Sequence, residues 1–208
     1  MKVLNLYSGI GGNRKLWQDV DVVAVEFNPE IAAIYQEYFP NDTVVVADAH
    51  QYLLDHYKEF DFIWSSPPCQ THSSIRLTRK TIEGYEAKFP DSKLWQEIIF
   101  LRYHAVCPYV IENVKPYYEP FLKPSIEIGR HLFWSNVGLK KIDIRTAHTH
   151  MGIEGNTEVY GYKLSSGTNR RQILRNLVNP EIGLAILDQV RGIKRKSKLK
   201  QISILEEV

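Results

Sequence analysis

Four side chains and one glycine turn have types and positions suited to chemistry. Cys69 follows two prolines in SSPPCQ, at the end of the apolar run 60–65. Pro67 and Pro68 stiffen the backbone leading into it. A thiol at the carboxyl end of a strand is placed for nucleophilic work. Glu112 closes the apolar run Tyr109–Val110–Ile111 in ENV. A carboxyl in such a partly dry pocket can stay protonated and act as a donor. Cys107, in HAVCPYV, enters a buried strand and reads as an inert core thiol. Two cysteines without a C-x-x-C pair argue against a disulfide framework or a cysteine-rich zinc site, and no metal is expected.

The remaining groups lie earlier. The segment LNLYSGIGG ends the first apolar run with Gly9, Gly11 and Gly12. Glycines allow a tight turn and close approach of backbone to a ligand. The spacing is not that of the dinucleotide fingerprint, and no phosphate-loop lysine follows. Glu26 ends the second strand-like run, where an acid can bind ribose hydroxyls. Asp48 ends the third, where a carboxylate can accept from an adenine amino group. Glycines, an acid and an acid on successive strand ends describe an adenosine site without a phosphate cradle. S-adenosylmethionine suits it better than NAD, whose pyrophosphate wants a helix N-terminus.

These groups need a scaffold. Residues 3–7, 21–26, 43–47, 60–65 and 109–114 read as strands. Residues 29–38 place Ile31, Ile34, Tyr35 and Tyr38 at helical spacing behind Pro29. Lys93 to Val106 reads as a helix with Leu94, Ile98, Leu101 and Ala105 on one face. Alternating strands and helices predict an α/β fold, a mostly parallel sheet with helices on both faces. Ligands of such sheets bind at the carboxyl ends of the strands. Residues 131–145 read as two short strands around Asn136–Gly138. Residues 146–168 read as a polar loop or small hairpin, and 180–193 as a last helix with Ile182, Ala185, Ile186, Gln189 and Val190 in register.

The chain has 208 residues, 44% hydrophobic and 24% charged. At roughly 150 residues per domain, that is one domain able to bury its own core. No apolar run approaches the roughly 18 residues of a membrane span. The N-terminus lacks a signal-peptide pattern, so a cytoplasmic location is expected. The net charge of +2 conceals a basic stretch, RGIKRKSKLK at 191–200, whose six cations and no acids leave −4 for the remainder. Such a tail suits a polyanion partner, though a solvated terminus has the same composition.

The ordered set YSGIGG, Glu26, Asp48, PPCQ and, about forty residues on, ENV resembles the cytosine-C5 DNA methyltransferases. The resemblance covers residues 1–137 and about 170–190, and in its short middle looks most like compact phage-type members. It implies a Rossmann-like methyltransferase domain over 1–190 that uses S-adenosylmethionine. The partner it implies is duplex DNA with the target cytosine flipped out, as in phage or restriction–modification enzymes. It implies that Cys69 attacks C6 of that cytosine and that Glu112 holds its N3/N4 edge. Tyr7, Gly9, Gly12, Glu26, Phe27, Asp48, Ala49, Pro68 and Leu94 fall on cofactor-contact positions, beside Gly11. The late segment RRQILRNLVNPEIGLAI resembles the closing motif, with Asn176 and Val178 completing the methionine end of the pocket. Residues 70–90 match the catalytic loop and put Gln70, Ser73, Arg76, Arg79 and Lys80 on the nucleic-acid side, joined by Arg195 and Lys196 of the tail.

Departures are specific. Asn5 stands where an acid is common. The cytosine-contacting arginine pair is represented only by Arg130, in GRHLFWSN. Arg175 replaces the usual glycine before Asn176. The target-recognition segment is reduced to about 30 residues, 138–168, too few for an independent base-reading domain. Recognition is then short and permissive, or supplied by a protein partner, or catalysis is weak. An RNA cytosine-C5 methyltransferase and a non-catalytic nucleic-acid-binding or regulatory protein retaining the pocket stay open. An amino-methyltransferase is disfavoured, since SSPPC puts a thiol where its motif has a stacking aromatic. Should all six tail cations meet phosphates, the log–log salt slope of DNA binding is expected near about −5. A near-flat slope in binding titrations excludes the tail as a DNA arm.

Overall fold

The computed structural model describes residues 1–78, 81, 85–142, 158–164 and 170–193. Arg79, Lys80, Arg195, Lys196 and most of the recognition segment and basic tail lie outside the described residues. One sheet of seven strands organises the rest, in the order β3-β2-β1-β4-β5-β7-β6. Strands β1 (Lys2–Leu6), β2 (Asp21–Glu26), β3 (Thr43–Val46), β4 (Phe62–Ser65) and β5 (Tyr109–Val114) run parallel. β7 (His131–Ser135) lies antiparallel between β5 and β6 (Ile126–Ile128). A separate hairpin joins β8 (Glu158–Val159) and β9 (Tyr162–Lys163). The mostly parallel α/β fold expected from the sequence is present.

Helices cover both faces. α1 (Pro29–Tyr38) starts where the Asn28 side chain accepts from the amides of Glu30 and Ile31, with Pro29 in its first turn. α2 (Ala49–His56) is capped by Asp48, and α6 (Pro180–Val190) by Asn179 ahead of Pro180. α3 (Ile75–Thr78), α4 (Lys93–His104) and α5 (Arg170–Arg175) complete the set. Alternation along the strands splits the core in two. Leu4, Leu6, Ile63 and Ile111 pack with Leu53 of α2 and Leu94, Ile98 and Leu101 of α4. Val3, Ala24, Phe62, Trp64 and Val110 pack with Tyr35 of α1 and Ile182, Ile186 and Leu187 of α6. No helix among the described residues is long and apolar enough to cross a membrane.

The structure corrects the sequence in two places. The second hairpin turns at Gly129–Arg130, where Gly129 has φ 60°, rather than around Asn136–Gly138. Asn136 is used otherwise: its side chain accepts from the Tyr109 amide at 2.9 Å and donates to the Cys107 carbonyl at 3.0 Å, sealing the start of β5. α2 was not foreseen, since AHQYLLDH has only two buried residues, Ala49 and Leu53. Asn5 is explained: it is fully buried, and its amide pairs with that of Asn13 at 2.8 Å.

A charged knot closes the α1 side of the sheet. The Arg14 guanidinium grips both oxygens of buried Asp42 at 2.8 and 2.9 Å, and the Tyr35 hydroxyl donates to the same carboxylate at 2.8 Å. Removing one partner leaves a desolvated cation. Asp42→Ala is expected to lower the unfolding free energy by about 3–5 kcal/mol. A loss below about 1 kcal/mol in urea unfolding contradicts a structural role for the knot.

Candidate active site

The strand order reverses between β1 and β4, where β2 and β3 lie to one side and β5 to the other. Such a switch point leaves a crevice at the carboxyl ends of the strands. The glycine turn, Glu26, Asp48, the SPPC segment and ENV all lie at the carboxyl ends of these strands. Leu6 pairs with both Val25 and Ser65, so the turn after β1 sits between Glu26 and the SPPC segment.

The first half of the crevice is built on the glycine turn. Tyr7 adopts φ 53°, and Gly9 follows at φ 54° with open space where a side chain would stand. The Gly9 amide donates to Glu26 at 3.0 Å, and the Asn28 amide donates to its other oxygen at 2.9 Å. Glu26 is therefore held at the pocket by backbone. Phe27 beside it is a large ring, 75% exposed. Gly12 is required by contact: a Cβ there would lie 2.5 Å from the Val178 carbonyl. The closing segment is thereby packed onto the glycine turn, with Val178 buried and Asn176 exposed. Gly11 accepts through its carbonyl from the hydroxyl of Tyr162 at 2.9 Å.

Asp48 caps α2 and is joined by Lys93 at 3.0 Å. That hydrogen bond, with the His50 amide, holds its carboxyl below the ordinary range. Ala49 and Leu94 are buried in the core under the same corner.

The second half carries Cys69 and Glu112. The Asn113 side chain donates to the Pro67 carbonyl at 2.9 Å, tying the end of β5 to the double proline. Pro68 and Gln70 are exposed around half-buried Cys69. The amides of His72 and Ser73 both donate to the Cys69 carbonyl at 3.0 Å, and Tyr117 donates to that of His72 at 3.0 Å. His72 is fully buried, 2.6 Å from the Tyr118 hydroxyl. The backbone around Cys69 is thus pinned from both sides. Arg76 reaches back to the Glu86 carbonyl and lies over the Tyr85 ring.

Burial pushes the Cys69 thiol up from its ordinary value, and the nearby Glu112 carboxylate adds to this, partly opposed by Arg130. The free protein therefore holds a thiol rather than a thiolate at neutral pH. Glu112 is 6% exposed, and the His131 ring lies 3.7 Å from it. Burial pulls His131 below its ordinary value, so its imidazole is neutral there. Arg130 itself is exposed on the β6–β7 turn. Cys107 is buried, and burial takes its thiol to about 11.

Three residues of this region were not singled out in the sequence: Glu97, His131 and Tyr162. Glu97 left a signal, an acid inside the apolar stripe Leu94, Ile98, Leu101. His131 and Tyr162 left none. No His, Cys, Asp or Glu cluster among the described residues could hold a metal ion.

A model of the C-5 cytosine-specific DNA methylase family matches residues 1–116. None of the curated proteins matches the chain. Among solved structures, a DNMT2 variant from Spodoptera frugiperda is similar at 25% identity, covering 58% of this chain and 37% of that one, with a TM-score of 0.40. The Entamoeba histolytica methyltransferase EhMeth is similar at 21% identity, over 55% of this chain and 38% of that one, with a TM-score of 0.36. A SAM-dependent methyltransferase from Agrobacterium tumefaciens is similar at 13% identity, over 57% and 40%, with a TM-score of 0.38. The chain thus spans at most 40% of these three proteins.

Because a negative charge opposes thiolate formation, Glu112→Gln is expected to speed iodoacetamide labelling of Cys69 at pH 8, by about threefold or more. Peptide mass spectrometry distinguishes Cys69 from Cys107. An unchanged or slower Cys69 rate contradicts the electrostatic coupling.

Proposed function

Since the chain belongs to the C-5 cytosine-specific DNA methylase family, whose model matches residues 1–116 of 208, we propose that it methylates cytosine C5 in DNA with S-adenosylmethionine, using Cys69 as nucleophile. The observation that carries this reading is the tie between the two catalytic segments: Asn113 bonded to Pro67, which sets Cys69 and Glu112 at one strand edge close enough for the carboxylate to raise the thiol.

The residues present fit the cofactor. The Ser8 hydroxyl is buried in the glycine turn without a hydrogen-bond partner among the described residues. Gly9 leaves open space, Glu26 is held by backbone amides, and Phe27 offers an exposed ring. In this reading Tyr7, Gly9, Gly11, Gly12, Glu26, Phe27, Asp48, Ala49, Pro68, Leu94, Asn176 and Val178 form or support that pocket. When bound, S-adenosylmethionine supplies an electrophilic methyl group.

The protein's own groups do the rest. Glu112 takes the N3/N4 edge of the flipped base as a protonated donor. Its charge then no longer opposes the thiolate, so arrival of the base activates Cys69. The proton leaving Sγ neutralises the Glu112 carboxylate as the base docks, and Glu112 passes it to N3 as Sγ bonds to C6. Sγ bonds to C6, and the electrons of the C5–C6 double bond move onto the ring. C5 of the adduct is then nucleophilic and would take the methyl group that the cofactor supplies; loss of the C5 proton to solvent re-forms the double bond, the Sγ–C6 bond breaks, and the N3 proton returns through Glu112 to Sγ. His131 and Arg130 flank Glu112 and Cys69 where the arginine pair is expected. Gln70, Ser73 and Arg76, with Arg79, Lys80, Arg195 and Lys196, meet the DNA backbone. Base reading falls to segment 138–168, alone or with a protein partner.

The test incubates the protein with labelled S-adenosylmethionine and mixed-sequence duplex DNA, then identifies the nucleosides by mass spectrometry. 5-Methylcytosine is expected from wild type and not from Cys69→Ala, a loss of at least about a thousandfold. Equal product from Cys69→Ala overturns the mechanism. No product from wild type that still binds the cofactor overturns DNA methylation by this chain alone.

A further inference from the structure

The Glu97 carboxylate is 1% exposed on α4. Three donors from three separate elements converge on it. The Tyr7 hydroxyl, from the turn after β1, lies 2.5 Å from Oε1. His50 Nδ1, in the first turn of α2, lies 2.9 Å from the same oxygen. The Ser65 hydroxyl, at the end of β4, lies 2.6 Å from Oε2. A buried carboxylate is costly unless its lone pairs are filled. Here they are filled only when all three elements stand in one arrangement.

Each of those elements leads directly into the crevice. Tyr7 precedes Ser8 and Gly9, His50 follows Asp48 by two residues, and Ser65 precedes the SPPC segment. Tyr7 is also held at φ 53°, a conformation rare for a tyrosine. The hydrogen bond to Glu97 is the contact that fixes its side chain while the backbone turns.

We propose that Glu97 is the positioning residue of the cofactor pocket, and that His50 makes its hold depend on pH. This rests on the reading of the pocket as an S-adenosylmethionine site. Ser65 and Tyr7 donate at any pH below the tyrosine range, since burial and Glu97 push the Tyr7 hydroxyl up. His50 is the donor that changes charge, with its side chain 30% exposed. The groups facing it are Glu97 and Lys93 from α4 and Asp48 from its own cap. Tyr7, on the opposite side of Glu97, itself faces Glu97, Asp48 and Asp91. The bond to Glu97 holds the imidazole above its ordinary range, against burial and Lys93. Below that raised pKa the contact is an ion pair; above it the neutral imidazole still donates to the carboxylate, but the Coulomb attraction of the imidazolium is lost. Apparent affinity scales with the fraction of molecules in the competent arrangement. S-adenosylmethionine affinity is therefore expected to fall as pH rises through the His50 pKa, above 6.5.

The full chain is titrated with S-adenosylmethionine by calorimetry from pH 6 to 9, as wild type, His50→Gln and Glu97→Gln. The ligand's own ammonium titrates alike in all three, so the difference between curves is read. Wild type is expected to lose about three- to tenfold in affinity across the range relative to His50→Gln. Glu97→Gln is expected to bind at least about tenfold more weakly at pH 6.5, with the His50-dependent difference gone. Should Glu97→Gln fail to fold, His50→Gln, at a partly exposed position, decides alone. Parallel pH curves for wild type and His50→Gln overturn the proposal while leaving the cofactor reading intact. No binding by wild type at any pH overturns the cofactor reading, and this proposal with it.

Discussion

Five parallel strands deliver their carboxyl ends to one edge, and the reversal of order between β1 and β4 decides which of those ends can share a ligand. The loops after β1 and β4 leave in opposite directions, one toward α1 and one toward α4. Between them opens the crevice that holds the glycine turn, Glu26, Asp48, Cys69 and Glu112. None of these residues has to reach for the site. Their positions follow from strand length and register, with Leu6 opposite both Val25 and Ser65 and Glu26 opposite Val46.

A crevice of this kind brings polar groups close to two apolar cores, and several of them are paired across elements. Asn5 and Asn13 exchange amide hydrogen bonds beneath the glycine turn. Asp42 is gripped by Arg14 and Tyr35. Asn113 bonds to Pro67, and Glu97 takes three donors. These contacts link elements distant in sequence: Tyr7 and Glu97 are 90 residues apart, and Asn113 and Pro67 are 46 apart. An unpaired buried polar group costs more than a paired one contributes. The set therefore selects one arrangement of strand ends, while the apolar packing tolerates neighbouring ones.

This division explains what the sequence disclosed. The five parallel strands are short apolar runs with glycine, acid or proline at their ends, and both signals are local. The crevice residues were legible because strand ends are where such folds place chemistry. α2 was hidden because eight residues with two buried side chains carry almost no periodicity. The second hairpin was misread because Asn136 resembles a turn residue and serves as a cap for β5. His131 could not be found, because its partner Glu112 lies on another strand and only the antiparallel register of β5 with β7 brings the two rungs together.

The β8–β9 hairpin also has a physical logic. Strands of two residues do not hold a hairpin by themselves. The one made by β8 and β9 is anchored by Tyr162, which is fully buried. Its hydroxyl donates to the Gly11 carbonyl, its ring meets Tyr38 edge-on at 4.7 Å, and the Lys15 ammonium lies 4.0 Å over its face. Gly11 belongs to the turn that would cradle the cofactor. The hairpin is therefore built onto the glycine turn. The contact ties the hairpin to the glycine turn across 151 positions of sequence.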